Sequence, residues 1–108
     1  MLAYLIDPVA KTVTEVQHDE SNEALYTLLD CRCYEINYRA VGLSRGDALY
    51  VDQEPYLRPN PDKRGAFVIK GQPQPMIGRG LISGHTADGE MCDPRTSRRK
   101  VRDLIVFL

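Results

Sequence analysis

The sequence predicts one α+β domain over residues 1–108, in which a small, curved, mostly antiparallel sheet is covered by one main helix. Three observations carry this prediction. Apolar and β-branched runs of strand length recur along the chain, one early segment has a clear helical stripe, and glycine and proline are dense between residues 60 and 84. Glycine and proline residues shape the backbone and supply no reactive side chains. The sequence therefore says more about fold than about chemistry.

The first third of the chain is predicted to form a hairpin followed by the main helix. The apolar run Leu2–Ile6 suits a buried strand, and the β-branched segment Thr12–Gln17 is expected to pair back onto it. Asp19 or Ser21 can cap a helix over about residues 21–30. The apolar residues of this helix share one face and are Ala24, Leu25, Leu28 and Leu29.

The middle of the chain is predicted to supply the other strands of the sheet. Alternation of apolar and polar residues from Tyr34 to Ala40 indicates a half-buried strand, and Ala48–Asp52 indicates another. Prolines at 55, 59 and 61 predict a loop. Two further strands are expected at Ala66–Lys70 and Gly80–Ser83, with an extended connection at Gly71–Pro75.

The last segment is predicted to contain a short second helix and a terminal strand. Thr96 and Ser97 can cap a helix that continues to about Asp103. The run Leu104–Leu108 then indicates a buried strand because two of its five large apolar residues are β-branched. One continuous helix from Ser97 to Leu108 is the alternative.

Composition narrows the function classes without selecting one. The chain is 43% apolar and 27% charged, which is ordinary for a soluble globular protein. No apolar stretch approaches the roughly 20 residues that span a bilayer, and the first residues lack a basic leader. Its 3 cysteines are an odd number and argue against a disulfide framework. We expect a cytoplasmic protein with no membrane partner.

Several sequence features together resemble a family of small phage and plasmid proteins, the domain-of-unknown-function family 3846. These features are Tyr4–Pro8 with Thr12–Val16, Ala24–Leu29, Leu49–Asp52, Asn60-Pro61, and Gly71–Pro75 with Gly78, Gly80 and Gly84. The resemblance covers nearly the whole chain and implies an accessory protein of a mobile genetic element. It implies no activity, and no functional residue carries over from it.

The residue pattern favours neither a metal centre nor a catalytic site. Cys31 and Cys33 are separated by one residue, whereas paired zinc ligands usually have two to four between them. Cys92 with His85 or His18 could form a nucleophile pair, but nothing nearby indicates an oxyanion hole. Scattered carboxylates such as Asp47 and Asp52 match no calcium loop, and we expect them to be solvated loop charges. We expect no cofactor, no metal and no catalytic residue.

Two groups of residues are candidates for binding. The first is a basic stretch that suits phosphate contact and consists of Arg95, Arg98, Arg99, Lys100 and Arg102. The second is a set of tyrosines, which suit protein interfaces because they bury area and keep a polar group. The tyrosines chosen are Tyr38, Tyr50 and Tyr56.

These candidates lead to three hypotheses. The first is a non-enzymatic accessory protein that binds a host or phage macromolecule, with a protein as the partner and a host defence system as one target. The second is a nucleic-acid-binding module that uses the basic stretch. The third is a small nucleotide- or ligand-binding protein. A homodimer stays open, and the sequence leans against an enzyme without excluding one.

Overall fold

Two antiparallel sheets form most of the protein. The computed structural model describes residues 1–38, 40 and 42–108, and only the backbone of Pro73. In this part of the chain the strands are β1 (Leu2–Asp7), β2 (Thr12–Gln17), β3 (Tyr34–Asn37), β4 (Ala48–Asp52), β5 (Ala66–Ile69), β6 (Gln72–Ile77), β7 (Gly80–His85), β8 (Met91–Cys92) and β9 (Ile105–Phe107). The α-helices are α1 (Asn22–Leu29) and α2 (Arg98–Leu104), and two short 3-10 helices cover Pro55–Leu57 and Pro61–Arg64.

The first sheet has the strand order β2-β1-β7-β4-β3, and β8 extends it by pairing with the end of β7. The second sheet is smaller and has the order β6-β5-β9. The predicted hairpin is confirmed, since β1 pairs with β2 in the register Ala3↔Val16 and Ile6↔Val13. In the second sheet the chain's last strand pairs with β5 in the register Val68↔Val106.

The prediction of one sheet covered by one main helix is wrong. Helix α1 has 8 residues and contributes two buried side chains, Leu25 and Leu29, to one face of the first sheet. On the other face, Ile6, Ile82 and their neighbours pack against Phe67 of the second sheet and Val101 of α2. The physical reason is that a helix of this length offers too little apolar area, so the sheets cover one another.

Gly80 allows the two sheets to approach closely. A Cβ atom at this position would lie 2.8 Å from Cζ of Phe67 and 3.1 Å from Cδ1 of Leu49. Both of these side chains are fully buried. The glycine therefore leaves room for the aromatic ring between the sheets.

Local signals placed several elements correctly and misread one. Ser97 caps α2, and β9 follows it directly, so the alternative of one helix from Ser97 to Leu108 is wrong. The predicted connection Gly71–Pro75 is largely strand β6, which tolerates Pro75 because it is an edge strand. Of the predicted strand from Tyr34 to Ala40, Arg39 lies outside the described residues.

Candidate binding groove

Helix α2 presents the basic stretch to solvent. The Ser97 side chain accepts a hydrogen bond from the Lys100 backbone N–H at 3.1 Å, which starts the helix. Val101 and Leu104 are buried in the core, so the remaining positions face outward. The exposed cations of this helix are Arg98, Arg99, Lys100 and Arg102.

Buried polar contacts fix the position of α2. The Asp47 carboxylate accepts hydrogen bonds from the Arg95 backbone N–H at 2.9 Å and from the Thr96 backbone N–H at 2.7 Å. The Thr96 hydroxyl donates to the same carboxylate at 2.6 Å and accepts from the Ser44 backbone N–H at 2.9 Å. Asp47 is thus a buried structural group, and the interpretation of it as a loop charge is wrong.

A groove of about 440 Å³ lies between β2 on one side and α2 with β9 on the other. We call it the basic groove and define it by its lining residues, Lys11, Thr12, Val13, Thr14, Arg98, Arg102, Ile105 and Phe107. Three of these residues are cationic, and none is acidic. Buried Ile105 and half-buried Phe107 add an apolar part to the lining. The groove therefore suits a ligand that carries both negative charge and an apolar group.

Three residues of the predicted basic stretch do not line this groove. Arg99 and Lys100 are exposed on α2 outside the lining. The Arg95 guanidinium donates to the His85 backbone carbonyl at 3.0 Å and borders a different, open cavity of about 620 Å³. The structure therefore brings Arg98 and Arg102 together with Lys11, which the sequence did not select.

The three candidate tyrosines do not form one surface. Tyr50 is only 2% exposed, so its side chain offers no surface to a partner. Its hydroxyl lies 2.6 Å from Nε2 of His85, and burial raises the Tyr50 pKa far above its usual value. Tyr38 is 60% exposed and packs edge-on against His85, whereas Tyr56 is 75% exposed and borders a cleft between β4 and β6. Only the last two are accessible.

His85 is a structural residue in this arrangement. Its Nδ1 lies 3.2 Å from the Gly46 carbonyl oxygen. That carbonyl can only accept, so Nδ1 carries the proton and Nε2 accepts from the Tyr50 hydroxyl. Both ring nitrogens are thus engaged, which leaves His85 without a free nitrogen for a nucleophile such as Cys92.

All three cysteines are free thiols of intermediate exposure. Burial raises the pKa of Cys31 to about 11, with the charge of Asp52 adding to the effect. A thiol with such a pKa is almost wholly protonated at neutral pH and is a poor nucleophile. Among the described residues, no group of three or more His, Cys, Asp or Glu side chains is placed to hold a metal ion.

Asp52 is the second buried carboxylate that the sequence suggested to be solvated. Arg58 Nε and Arg64 NH1 donate to its Oδ2 at 3.0 Å and 2.8 Å. Burial raises the Asp52 pKa, but the Glu54 backbone N–H and the two guanidinium groups outweigh it and hold the pKa below its usual value. Arg64 also donates to the Asp30 carbonyl at 2.9 Å at the end of α1. These contacts hold the proline-rich loop, which contains Pro55, Pro59 and Pro61, against the first sheet and have a structural role.

Comparison of this chain with protein-family models, with curated proteins and with solved structures found no match. The family resemblance of the sequence therefore stays a prediction. Within the described residues, neither helix has the length and apolar character needed to cross a bilayer.

Lys11 is the residue of the groove that sequence reasoning missed. It lies in the turn of the first hairpin, far along the chain from Arg98, and it has a positive φ of 58°. Nothing in its sequence neighbourhood marks it as part of a site. The packing of α2 beside β2 brings Lys11 to the groove, and that packing is visible only in the fold.

Proposed function

We propose that this chain is a non-enzymatic binding protein and that its partner is a protein with an acidic segment, held in the basic groove. The observation that carries the proposal is the composition of the groove, with Lys11, Arg98 and Arg102 around apolar Ile105 and Phe107 and no acidic residue in the lining. Complementary charge steers such a partner and fixes its orientation. Apolar contact then adds affinity that is insensitive to salt.

We propose that it is an accessory protein of a phage or another mobile element and that it acts on a host macromolecule such as part of a defence system. This setting is supported by the sequence resemblance alone. The groove supports only the class of ligand. The accessible tyrosines, Tyr38 and Tyr56, lie in other parts of the surface and are not used in the proposal.

Nucleic-acid binding is the second candidate function. It is favoured by the four exposed cations on α2, which lie on a helix of 7 residues. Proteins that bind single-stranded nucleic acid stack the bases on exposed aromatic side chains. Helix α2 contains no aromatic residue. The apolar part of the groove has no evident use in contacting phosphates.

The two candidates differ in their salt dependence. Fluorescence anisotropy with a labelled peptide that contains glutamate and valine, and with a labelled DNA duplex, measures both affinities in one buffer series. We expect peptide binding to weaken less with salt than DNA binding, because the apolar contacts of the peptide are not screened. DNA binding that is tighter than peptide binding, with a log–log salt slope of about −0.9 per phosphate contact, would replace the first candidate with the second.

A further inference from the structure

The basic groove runs along an open strand edge. In the described residues β2 pairs with β1 alone, so one side of it has no strand neighbour. The His18 backbone N–H donates to the Met1 carbonyl at 3.0 Å, which sets the alternation of bonded pairs along this hairpin. In that register Val13 and Glu15 direct their backbone N–H and C=O groups away from β1.

The opposite wall of the groove contains a second open edge. Strand β9 pairs with β5 alone within the described part of the chain. The Lys70 N–H donates to the Leu104 carbonyl at 2.8 Å, and the Leu108 N–H donates to the Ala66 carbonyl at 3.0 Å. The alternation therefore turns the backbone of Phe107 away from β5. Both walls thus offer backbone groups that a strand can bond.

We propose that the acidic partner segment binds in the groove as an added β-strand that pairs with the open edge of β2. This inference rests on the proposed function and specifies the form of its ligand. The added strand hydrogen-bonds to the backbone of Val13 and Glu15. One face of it is turned toward α2 and β9, and the other face is turned away.

The residues opposite the added strand specify its sequence pattern. Arg98 and Arg102 are four positions apart on α2, which separates them by about 6 Å along the helix axis. Side chains on one face of a strand recur every two residues, or about 6.8 Å. Acidic residues two positions apart therefore match the two guanidinium groups. An apolar residue on the same face contacts Ile105 and Phe107. Acidic and apolar residues therefore occupy every second position of the segment, and the residues between them face solvent.

Charge repulsion also disfavours a second copy of this chain as the occupant of the basic groove. Two β2 edges that paired with one another would bring two sets of Lys11, Arg98 and Arg102 together. The six cations of the two groove linings outnumber the two Glu15 carboxylates at the paired edges, so like charges repel. An acidic strand instead neutralises the groove and satisfies the open edge at the same time.

Amide hydrogen exchange measured by NMR tests the pairing directly. The probe is a short synthetic peptide with glutamate and valine on one face of the extended chain and threonine on the other. On saturation with this probe we expect the Val13 and Glu15 amides to exchange at least about tenfold more slowly. The Thr14 amide already bonds to β1 and serves as the internal control. A peptide of the same composition with its acids on both faces should bind more weakly.

The possible outcomes separate the two proposals. Binding of the probe with unchanged exchange at Val13 and Glu15 overturns strand addition and leaves the acidic ligand in place. Absence of binding overturns both proposals, as does preference for a DNA duplex over the peptide. Protection of Val13 that rises with protein concentration in the absence of peptide overturns the peptide as occupant and assigns the edge to a second copy.

A pair of variants at one position gives an independent check. Glu15→Pro removes the outward N–H and leaves the pairing with β1 unchanged, whereas Glu15→Ala removes the same acid and keeps the N–H. We expect Glu15→Pro to bind the probe about tenfold more weakly than Glu15→Ala, because the two variants lack the same acid and differ in the outward N–H. Equal affinity of the two folded variants would overturn the pairing. If Glu15→Pro does not fold, the exchange experiment on the wild type still decides the question.

Discussion

Asp47 accepts two hydrogen bonds from Thr96, one from the backbone N–H at 2.7 Å and one from the side-chain hydroxyl at 2.6 Å. Both residues are buried, and they lie 49 positions apart in the sequence. The contact holds the chain immediately before α2 against the start of β4. The placement of the basic groove therefore depends on a carboxylate that does not line it.

Replacement of Asp47 is expected to destabilise the protein and loosen α2. Asp47→Ala leaves buried donors of Arg95 and Thr96 without an acceptor, which should lower the free energy of unfolding by about 3 kcal/mol. Urea denaturation followed by circular dichroism measures this change. Asp103→Ala, which removes an exposed carboxylate from α2, is the control and should stay within about 0.5 kcal/mol of the wild type. Equal effects of the two variants would contradict the structural role of Asp47.

The ion pairs of Asp52 predict a loss of stability in acid. Since the folded state holds the Asp52 pKa below its ordinary value of 3.8, this group stabilises the fold above pH 3.8 and loses that contribution as the pH falls through the folded pKa. Asp52→Asn should cost about 3 kcal/mol at neutral pH because it leaves Arg58 and Arg64 without their buried partner.

The difference between Asp52→Asn and the wild type should shrink as the pH is lowered below 3.8. Denaturation curves recorded from neutral to acid pH measure it. Asp62→Asn, at an exposed position of the same loop, is the control and should follow the wild type. A difference that stays constant with pH would show that the charge of Asp52 does not stabilise the fold.

The contact between Tyr50 and His85 predicts a cost in stability without a cost in binding. Tyr50→Phe removes the hydroxyl that donates to Nε2 of His85 and should lower the free energy of unfolding by about 1–2 kcal/mol. Affinity for an acidic peptide should not change, because neither residue lines the basic groove. Tyr38→Phe at the exposed neighbouring ring is the matched control and should alter neither quantity. A selective loss of binding in Tyr50→Phe would restore Tyr50 as a binding residue.

The two phenylalanines are expected to differ in their contribution to stability. Phe67 is fully buried between the sheets, so Phe67→Ala should cost about 3–5 kcal/mol. Phe107 is only half-buried and borders the groove, so Phe107→Ala should cost less than this range and should weaken peptide binding. Thermal and urea denaturation of both variants measure the costs. A larger cost for Phe107 would contradict the placement of β9 at the edge of the second sheet.

Patterns in the sequence predict local structure but not contacts between residues that lie far apart along the chain. Local signals placed the hairpin of β1 and β2, and the capping serines Ser21 and Ser97 marked the helix starts correctly. The division into two sheets was missed because β5 pairs with the distant β9, and no local pattern distinguishes strands of one sheet from strands of another. For the same reason the sequence selected Arg98 and Arg102 but missed Lys11.

Burial of polar groups was the other source of error. Tyr50, Asp47 and Asp52 have no local feature that separates a buried, hydrogen-bonded side chain from an exposed one. Each is buried because a partner from elsewhere satisfies it, respectively His85, Thr96 and the two arginines of the proline-rich loop. The partners lie up to 49 positions away, beyond the reach of a local pattern.

The most direct test of the acidic-ligand groove compares two charge-matched double variants. Arg98→Gln with Arg102→Gln removes two cations from the groove, and Arg99→Gln with Lys100→Gln removes two exposed cations of the same helix from outside it. Anisotropy with a labelled glutamate–valine peptide should show about tenfold weaker binding for the groove variant and nearly wild-type binding for the other. Equal losses in both variants, or none in either, would contradict the assignment of the groove as the binding site.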